Sequence, residues 1–156
     1  MAKTNRKSIK NYTTTISVEK TVGEIEGLLA RYGARRILKD FDKNGISSLS
    51  FMVEVDGKFV PIKLPVNADK IVEILNKQVS IGSIPRRYKD DVSQARRIMW
   101  RVLLDWIDAQ MTLVELGQRQ LVEVFMADVL DMKTNETLYQ KMLKEGITGY
   151  MLEFKS

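Results

Sequence analysis

The stretch from residue 86 to residue 131 constrains the fold most, because nearly all of it can form helix. Its apolar residues recur at spacings of three and four, which collects them on adjacent faces of one helix. One apolar line is Val92, Ala95, Met99, Val102, Leu103 and Trp106, and the other is Trp100, Leu104, Ile107, Met111 and Val114. Together they cover so much of the circumference that we expect a central packing helix or a subunit interface.

A narrow polar stripe remains on this helix, formed by Gln94, Arg97, Arg101, Asp105 and Asp108. Arg101 and Asp105 stand four residues apart, the spacing of solvated pairs that stabilise a helix by about 0.3–0.5 kcal/mol. Pairing within the helix is the simpler interpretation of these charges. The alternative is that Arg97 and Arg101 await an external anion.

The chain before this helix reads as alternating elements. Thr-rich alternation from Asn11 to Val18 predicts a strand with one wet face. Thr21 and Glu24 then match a capping box that would begin an amphipathic helix, and Gly33 would end it.

Three more strands are predicted at 35–41, 46–55 and 58–64. Asn44-Gly45 and Asp56-Gly57 separate them, and these pairs accept the positive φ angles of tight hairpin turns. Pro61 lacks an amide hydrogen, which favours an edge position for the third of these strands.

A second helix is predicted after Asn67 as its cap, and a loop from about 78 to 85 precedes the long helix. The residues of this second helix that would face inward are Ile71, Val72, Ile74 and Leu75. Gly117 is predicted to break or bend the long helix. A last helix would start at Thr134 or Asn135 and stop at Gly146.

The expected fold class is therefore α+β. A β-α-β-β-β-α module with an antiparallel sheet would be followed by a long-helix hairpin and a short C-terminal helix. We expect a basic flexible arm over 1–10, the sheet module over 11–78, and a helical region over 86–156 that packs on the module or forms an oligomer interface.

The chain contains no cysteine and no histidine. This excludes Cys/His zinc sites, Ser-His-Asp catalysis and Cys-His catalysis, so we expect no enzyme and no cofactor. Asp40-x-Asp42-x-Asn44-Gly45 resembles the start of an EF-hand loop, but Phe51 occupies the position of the required glutamate. A hairpin turn accounts for these residues, and no metal site is predicted.

The net charge of +5 is unevenly distributed. Residues 1–101 carry 20 Lys/Arg against 11 Asp/Glu, whereas residues 102–156 carry 5 against 9. This asymmetry favours a polyanionic partner or self-association. The candidate phosphate ligands are Lys7, Lys10, Arg86, Arg87, Lys89, Arg96, Arg97 and Arg101. Tyr88 and Trp100 are nearby aromatics on which a base could stack, although Trp100 also fits the core.

No apolar run approaches the roughly 20 residues that a membrane span requires. The N-terminus has basic residues without the apolar block of a secretion signal. We therefore expect a cytoplasmic protein without a membrane partner.

Four sequence blocks resemble a group of small bacteriophage and prophage proteins of uncharacterised function. They are TTTISVEKTVGEIEGLLARYGA (13–34), SLSFMVEVDGKFVPIKLPV (48–66), ARRIMWRVLLDWIDAQ (95–110) and TLYQ (137–140). The resemblance implies a viral gene expressed in the bacterial cytoplasm, where accessory proteins handle DNA or disable host defences. It carries over no activity and no binding residues.

The leading hypothesis is a non-enzymatic protein that binds phosphate-bearing ligands, most simply DNA, through the basic arm and the 86–101 surface. An oligomeric sponge that sequesters a nucleotide immune signal is the alternative, with Arg97 and Arg101 lining a pocket between subunits. A third hypothesis is an inhibitor of a host protein. The apolar surplus of the long helix predicts a homo-oligomer.

Overall fold

The computed structural model describes residues 8–147. Five helices and five strands follow one another in the order α1 Val18–Arg31, β1 Ala34–Asp42, β2 Gly45–Val55, β3 Lys58–Lys63, α2 Ala68–Ser80, α3 Val92–Glu115, α4 Leu121–Val124, β4 Leu130–Asp131, β5 Glu136–Thr137 and α5 Leu138–Glu145. Single 3-10 turns span Arg86–Tyr88 and Met126–Asp128. The predicted α+β class, with an antiparallel three-stranded sheet followed by helices, is confirmed.

The sheet is a meander in the order β1-β2-β3, as the two Gly-containing turns predict. Gly45 has φ of +110°, and Asp56 and Gly57 both have positive φ, which these tight turns require. Leu49, Phe51 and Val53 alternate along β2 and are buried on the face that meets the helices.

The strand predicted over 11–18 is wrong. Residues 14–17 have no regular secondary structure and pair with no described strand, and Asn11 turns the chain with φ of +64°. The side chain of Gln94 donates hydrogen bonds to the carbonyl oxygens of Tyr12 and Thr14, where a neighbouring strand would otherwise have done so. The alternation of exposed and covered side chains was therefore read correctly, but the hydrogen-bond partner is a helix residue.

Two helix details also differ from prediction. Helix α1 begins three residues before Thr21, because the Ser17 hydroxyl accepts the Lys20 amide at 3.2 Å and caps it there. Asn67 caps α2 as predicted, but Ile74 is 43% exposed and does not face inward.

Helix α3 is the central packing element that its two apolar lines predict. It is 24 residues long, and Trp100, Ile107 and Met111 on it are fully buried. They share one core cluster with buried residues of α1, β2 and β3. Segments on both sides of the 78–85 loop therefore contribute to the same core.

The predicted long-helix hairpin is wrong. Gly117, with φ of +71°, ends α3 outright, and the chain continues through the short α4, a 3-10 turn and the β4-β5 hairpin. Phe125 in this segment is fully buried and packs edge-on against Phe51 of the sheet and Trp106 of α3, with ring centroids 5.1 and 5.6 Å away. The segment after α3 therefore packs on the core through Phe125 and does not form a second long helix.

The final described helix, α5, starts at Leu138, a few residues after the predicted start. Thr137 and Gln140 form a capping box at its beginning, and Gly146 follows its end with φ of +88° as predicted. None of the described helices is both long and apolar enough to cross a bilayer.

Candidate phosphate-binding site

Three of the predicted cations lie in the turn that leads into α3. Arg86, Arg87 and Lys89 are all exposed, and none of them forms an ion pair with a carboxylate of residues 8–147. The two carboxylates beside them in sequence are engaged by neutral donors. Asp90 accepts the Asn76 amide at 2.8 Å, and Asp91 accepts the Gln94 backbone amide at 2.9 Å as the cap of α3. The three cations therefore have no carboxylate partner among residues 8–147, and Asp90 and Asp91 leave negative charge close by.

Arg97 is held in place without being neutralised. Its Nε and Nη2 donate to the Gln94 side-chain oxygen at 2.9 and 2.7 Å. Gln94 is itself buried, and its side-chain amide nitrogen donates to the carbonyl oxygens of Tyr12 and Thr14. A neutral amide thus fixes the guanidinium orientation and leaves its full charge and further N–H donors available.

Two tyrosines connect this arginine to the turn. The Tyr12 and Tyr88 rings meet edge to face at a centroid distance of 5.4 Å. The Arg87 guanidinium lies 4.9 Å from the Tyr88 ring centre and donates to the Tyr88 hydroxyl at 3.0 Å. This hydrogen bond raises the pKa of Arg87, so the guanidinium stays charged.

An unbroken series of contacts therefore links the Arg87 guanidinium, through Tyr88, Tyr12 and Gln94, to Arg97. We call Arg86, Arg87, Lys89 and Arg97 the cationic patch. Two of its cations, Arg87 and Arg97, are oriented by neutral acceptors, an arrangement that suits recognition of an external anion.

Three of the other four predicted ligands, Lys10, Arg96 and Arg101, have carboxylate partners within the chain. Arg96 pairs with Asp42 and donates to the Ile46 carbonyl oxygen, which ties α3 to the β1-β2 hairpin. The hydrogen bond from the Arg96 guanidinium to the Asp42 carboxylate, with a second from the Asn44 backbone amide, lowers the pKa of Asp42. Arg101 pairs with Glu24 of α1 at 3.1 Å.

Lys10 pairs with Asp105 at 2.9 Å, and Asn11 donates to the same carboxylate. Burial alone would raise the pKa of Asp105, but these hydrogen bonds hold it below its usual value. Lys7, the remaining predicted ligand, lies outside the described residues 8–147.

The predicted stacking of a base on Tyr88 is wrong, whereas the core position that the apolar line favours for Trp100 is confirmed. Tyr88 is 7% exposed and Trp100 is fully buried, so neither presents a ring face to an incoming base. Tyr88 instead supports the Arg87 guanidinium, and Trp100 belongs to the core. The cationic patch therefore presents charged N–H donors and neither of these two aromatic rings.

A concavity of about 450 Å³ lies beside Arg101, between α1 and α3. Its charged lining is Glu24, Arg31, Arg101, Asp105 and Asp108. Because Asp105 is also paired with Lys10, three cations match the three carboxylates, and the concavity has no excess positive charge to offer an anion.

A cavity of about 690 Å³ opens between α2, α3 and the N-terminal segment and is mainly apolar. Asp128 stands on its wall, where burial raises the pKa of this carboxyl. No hydrogen bond or ion pair from residues 8–147 compensates the Asp128 carboxylate. Its negative charge is thus disfavoured in the folded state.

Asp128→Asn is expected to raise the melting temperature by a few degrees at neutral pH. A raised pKa in the folded state means that stability falls as pH rises through it, and an amide removes that loss. The gain should vanish below about pH 3.9, where the carboxyl is protonated in both states. Thermal unfolding across pH measures this, with the exposed turn variant Asp56→Asn as control. An equal gain at all pH values would contradict the titration argument.

Sequence reasoning missed Gln94 and Tyr12 as parts of the site. Gln94 was assigned to the polar stripe, and nothing local marks it as the residue that holds the N-terminal segment. Tyr12 was assigned to a strand. The only available signal was a glutamine one position before the buried Ala95, where a polar side chain needs partners.

Among residues 8–147, no group of three or more His, Cys, Asp or Glu side chains is placed to hold a metal ion. Comparison with protein-family models, with curated proteins and with solved structures gives no match. The geometry of the cationic patch is therefore the basis on which a function can be assigned.

Proposed function

We propose that this protein binds the phosphate backbone of nucleic acid, most simply DNA, through the cationic patch and without catalysing a reaction. The proposal rests on one observation: the four cations of the patch have no carboxylate partner among residues 8–147, and neutral acceptors orient two of them. Guanidinium groups fixed in this way meet phosphate oxygens with little further ordering. The resemblance to phage-encoded proteins fits a small DNA-handling protein in a bacterial cytoplasm.

The patch supports affinity more than sequence recognition. Contacts to phosphate set register and strength, whereas base edges or exposed aromatic rings supply selectivity. Tyr88 and Trp100 are unavailable for stacking, because both are buried. We therefore expect binding that depends weakly on base sequence.

The test is a fluorescence-anisotropy titration of labelled single-stranded and duplex DNA at several salt concentrations. Four phosphate contacts predict a slope of log affinity against log salt of roughly −3 for single strands and −4 for duplex. Absence of binding at low salt would overturn the proposal. Tight binding of a mononucleotide that salt hardly weakens would instead favour the nucleotide sponge. The concavity beside Arg101 has no excess positive charge that would favour such a ligand.

Two arginines one helical turn apart give a sharper test. Arg97→Gln is expected to weaken DNA binding about five- to tenfold and to reduce the salt slope by about 0.7 for a single strand. Arg101→Gln should change affinity less than twofold, because Glu24 already neutralises that charge. Both variants are measured by the same anisotropy titration.

Arg97→Lys is the matched control for folding and charge. It keeps the positive charge but loses the two-point contact to Gln94, so the salt slope should persist while affinity falls slightly. Equal losses in Arg97→Gln and Arg101→Gln, with unchanged melting temperatures, would contradict the assignment of Arg97 to the site.

A further inference from the structure

The two edges of the three-stranded sheet are not equivalent. On the outer side of β3, Ile62 forms an antiparallel bridge with Val129, so a later segment covers part of that edge. On the outer side of β1, no strand of residues 8–147 is paired. Alternate amide and carbonyl groups of an edge strand point away from the sheet, so β1 presents an open hydrogen-bonding edge.

Strand β1 has two features that protect open edges, charged side chains and register shifts against β2, but they leave a long stretch available for pairing. It is nine residues long, contains no proline, and seven of its residues are exposed. Leu38 is 63% exposed and Phe41 is 68% exposed, which leaves apolar surface next to the free edge. Two register shifts with β2 bracket the residues from Arg36 to Asp40, and these five form the regular part of the strand.

The charges in this regular part are ordered. Arg36 and Asp40 share the face turned away from the helices, with Leu38 midway between them. They stand about 13 Å apart along the strand, too far to pair with each other. Neither forms an ion pair with another of residues 8–147; Arg36 lies over the Phe59 ring, and Asp40 accepts a hydrogen bond from Ser48. Neither charge therefore has an oppositely charged partner among the residues that the structure describes.

We propose that β1 pairs with β1 of a second copy, antiparallel and centred on Leu38, so that two sheets join into one of six strands. A two-fold axis through Leu38 places Arg36 of each copy opposite Asp40 of the other and brings the two Leu38 side chains together. Arg36 and Asp40 each gain an oppositely charged partner in this arrangement, and the two exposed Leu38 side chains bury each other.

Neighbouring registers are less favourable. Centring on Lys39 would oppose two lysines, and centring on Ile37 would oppose Arg35 with Lys39, and like charges directly opposite destabilise a sheet. The Leu38 register also keeps the helices of both copies on one side of the joined sheet. Because one edge is used and the symmetry closes, the product is a dimer and not a fibre.

Charge reversal tests the pairing by sedimentation equilibrium. Arg36→Asp alone, or Asp40→Arg alone, should weaken dimerisation at least about tenfold, since each places like charges opposite one another at two positions. The double variant Arg36→Asp/Asp40→Arg should restore the dimer. Lys63→Asp reverses a charge on the same face of β3 and should leave the dimer intact.

Cross-linking tests the register directly, because the chain has no cysteine of its own. Leu38→Cys should form a disulfide-linked dimer under mild oxidation, since directly opposed strand residues have Cβ atoms about 4.5–5.5 Å apart. Ile81→Cys is the matched control, because Ile81 is 68% exposed and lies at the C-terminal end of α2, outside the sheet. It should remain uncross-linked at the same concentration.

A wild-type protein that stays monomeric at high micromolar concentration would overturn the proposal. A dimer that survives both single charge reversals, or that cross-links equally through Leu38→Cys and Ile81→Cys, would overturn it as well. The cationic patch does not include β1, so failure here leaves the DNA-binding test unaffected. Circular dichroism of each variant verifies that loss of the dimer is not loss of the fold.

Discussion

Replacing Arg86, Arg87 and Lys89 together with alanine is expected to lower affinity for single-stranded DNA on the order of a hundredfold at low salt. These three cations are exposed and have no carboxylate partner among residues 8–147. Removing three of four phosphate contacts should also reduce the salt slope from roughly −3 to roughly −1. Anisotropy titration at several salt concentrations measures both quantities.

The matched control removes the same number of positive charges elsewhere. Lys43, Lys58 and Lys133 are exposed residues in the turn regions of the three hairpins, outside the cationic patch. Their triple alanine variant has the same net charge as the patch variant, so an effect of overall charge would lower affinity equally in both. Equal losses would show that DNA is attracted by the whole protein and not by the patch.

Trp100→Ala is expected to destabilise the protein by about 3–5 kcal/mol, the usual range for removing a fully buried tryptophan. Trp100 is 0% exposed and lies in the core that α3 shares with α1 and the sheet. Because a domain of this kind is stable by only about 5–15 kcal/mol, the melting temperature should fall by about 10 °C or more. Thermal and urea unfolding monitored by circular dichroism measure the change.

Two further variants isolate the cause. Leu116→Ala truncates an apolar side chain that is 64% exposed and should change stability by less than about 0.5 kcal/mol. Trp100→Phe should cost less than Trp100→Ala, because phenylalanine fills more of the space that the indole leaves. Both variants remove the buried Nε1 donor, which has no hydrogen-bond partner among residues 8–147. Comparable stabilities of wild type and Trp100→Ala would contradict a central role for α3.

Interpretations that used only neighbouring residues were mostly confirmed. The Asn-Gly and Asp-Gly turns, the Asn67 cap and the apolar lines of α3 depend on backbone geometry or on periodicity within one element, which the local sequence encodes. Predictions that needed a distant partner were wrong. The segment before Ser17 lies against Gln94 and pairs with no strand, and the second half of the long-helix hairpin gives way to a segment anchored by Phe125.

The chain's own order of residues determined the α+β class, the meander and the central helix, because each follows from short-range periodicity and turn chemistry. Only the tertiary structure decided which cations remain free. Arg96 finds Asp42 across 54 residues and Arg101 finds Glu24 across 77, whereas Arg97 meets only a neutral amide. An ion pair depends on distance in space, and no local pattern contains that distance.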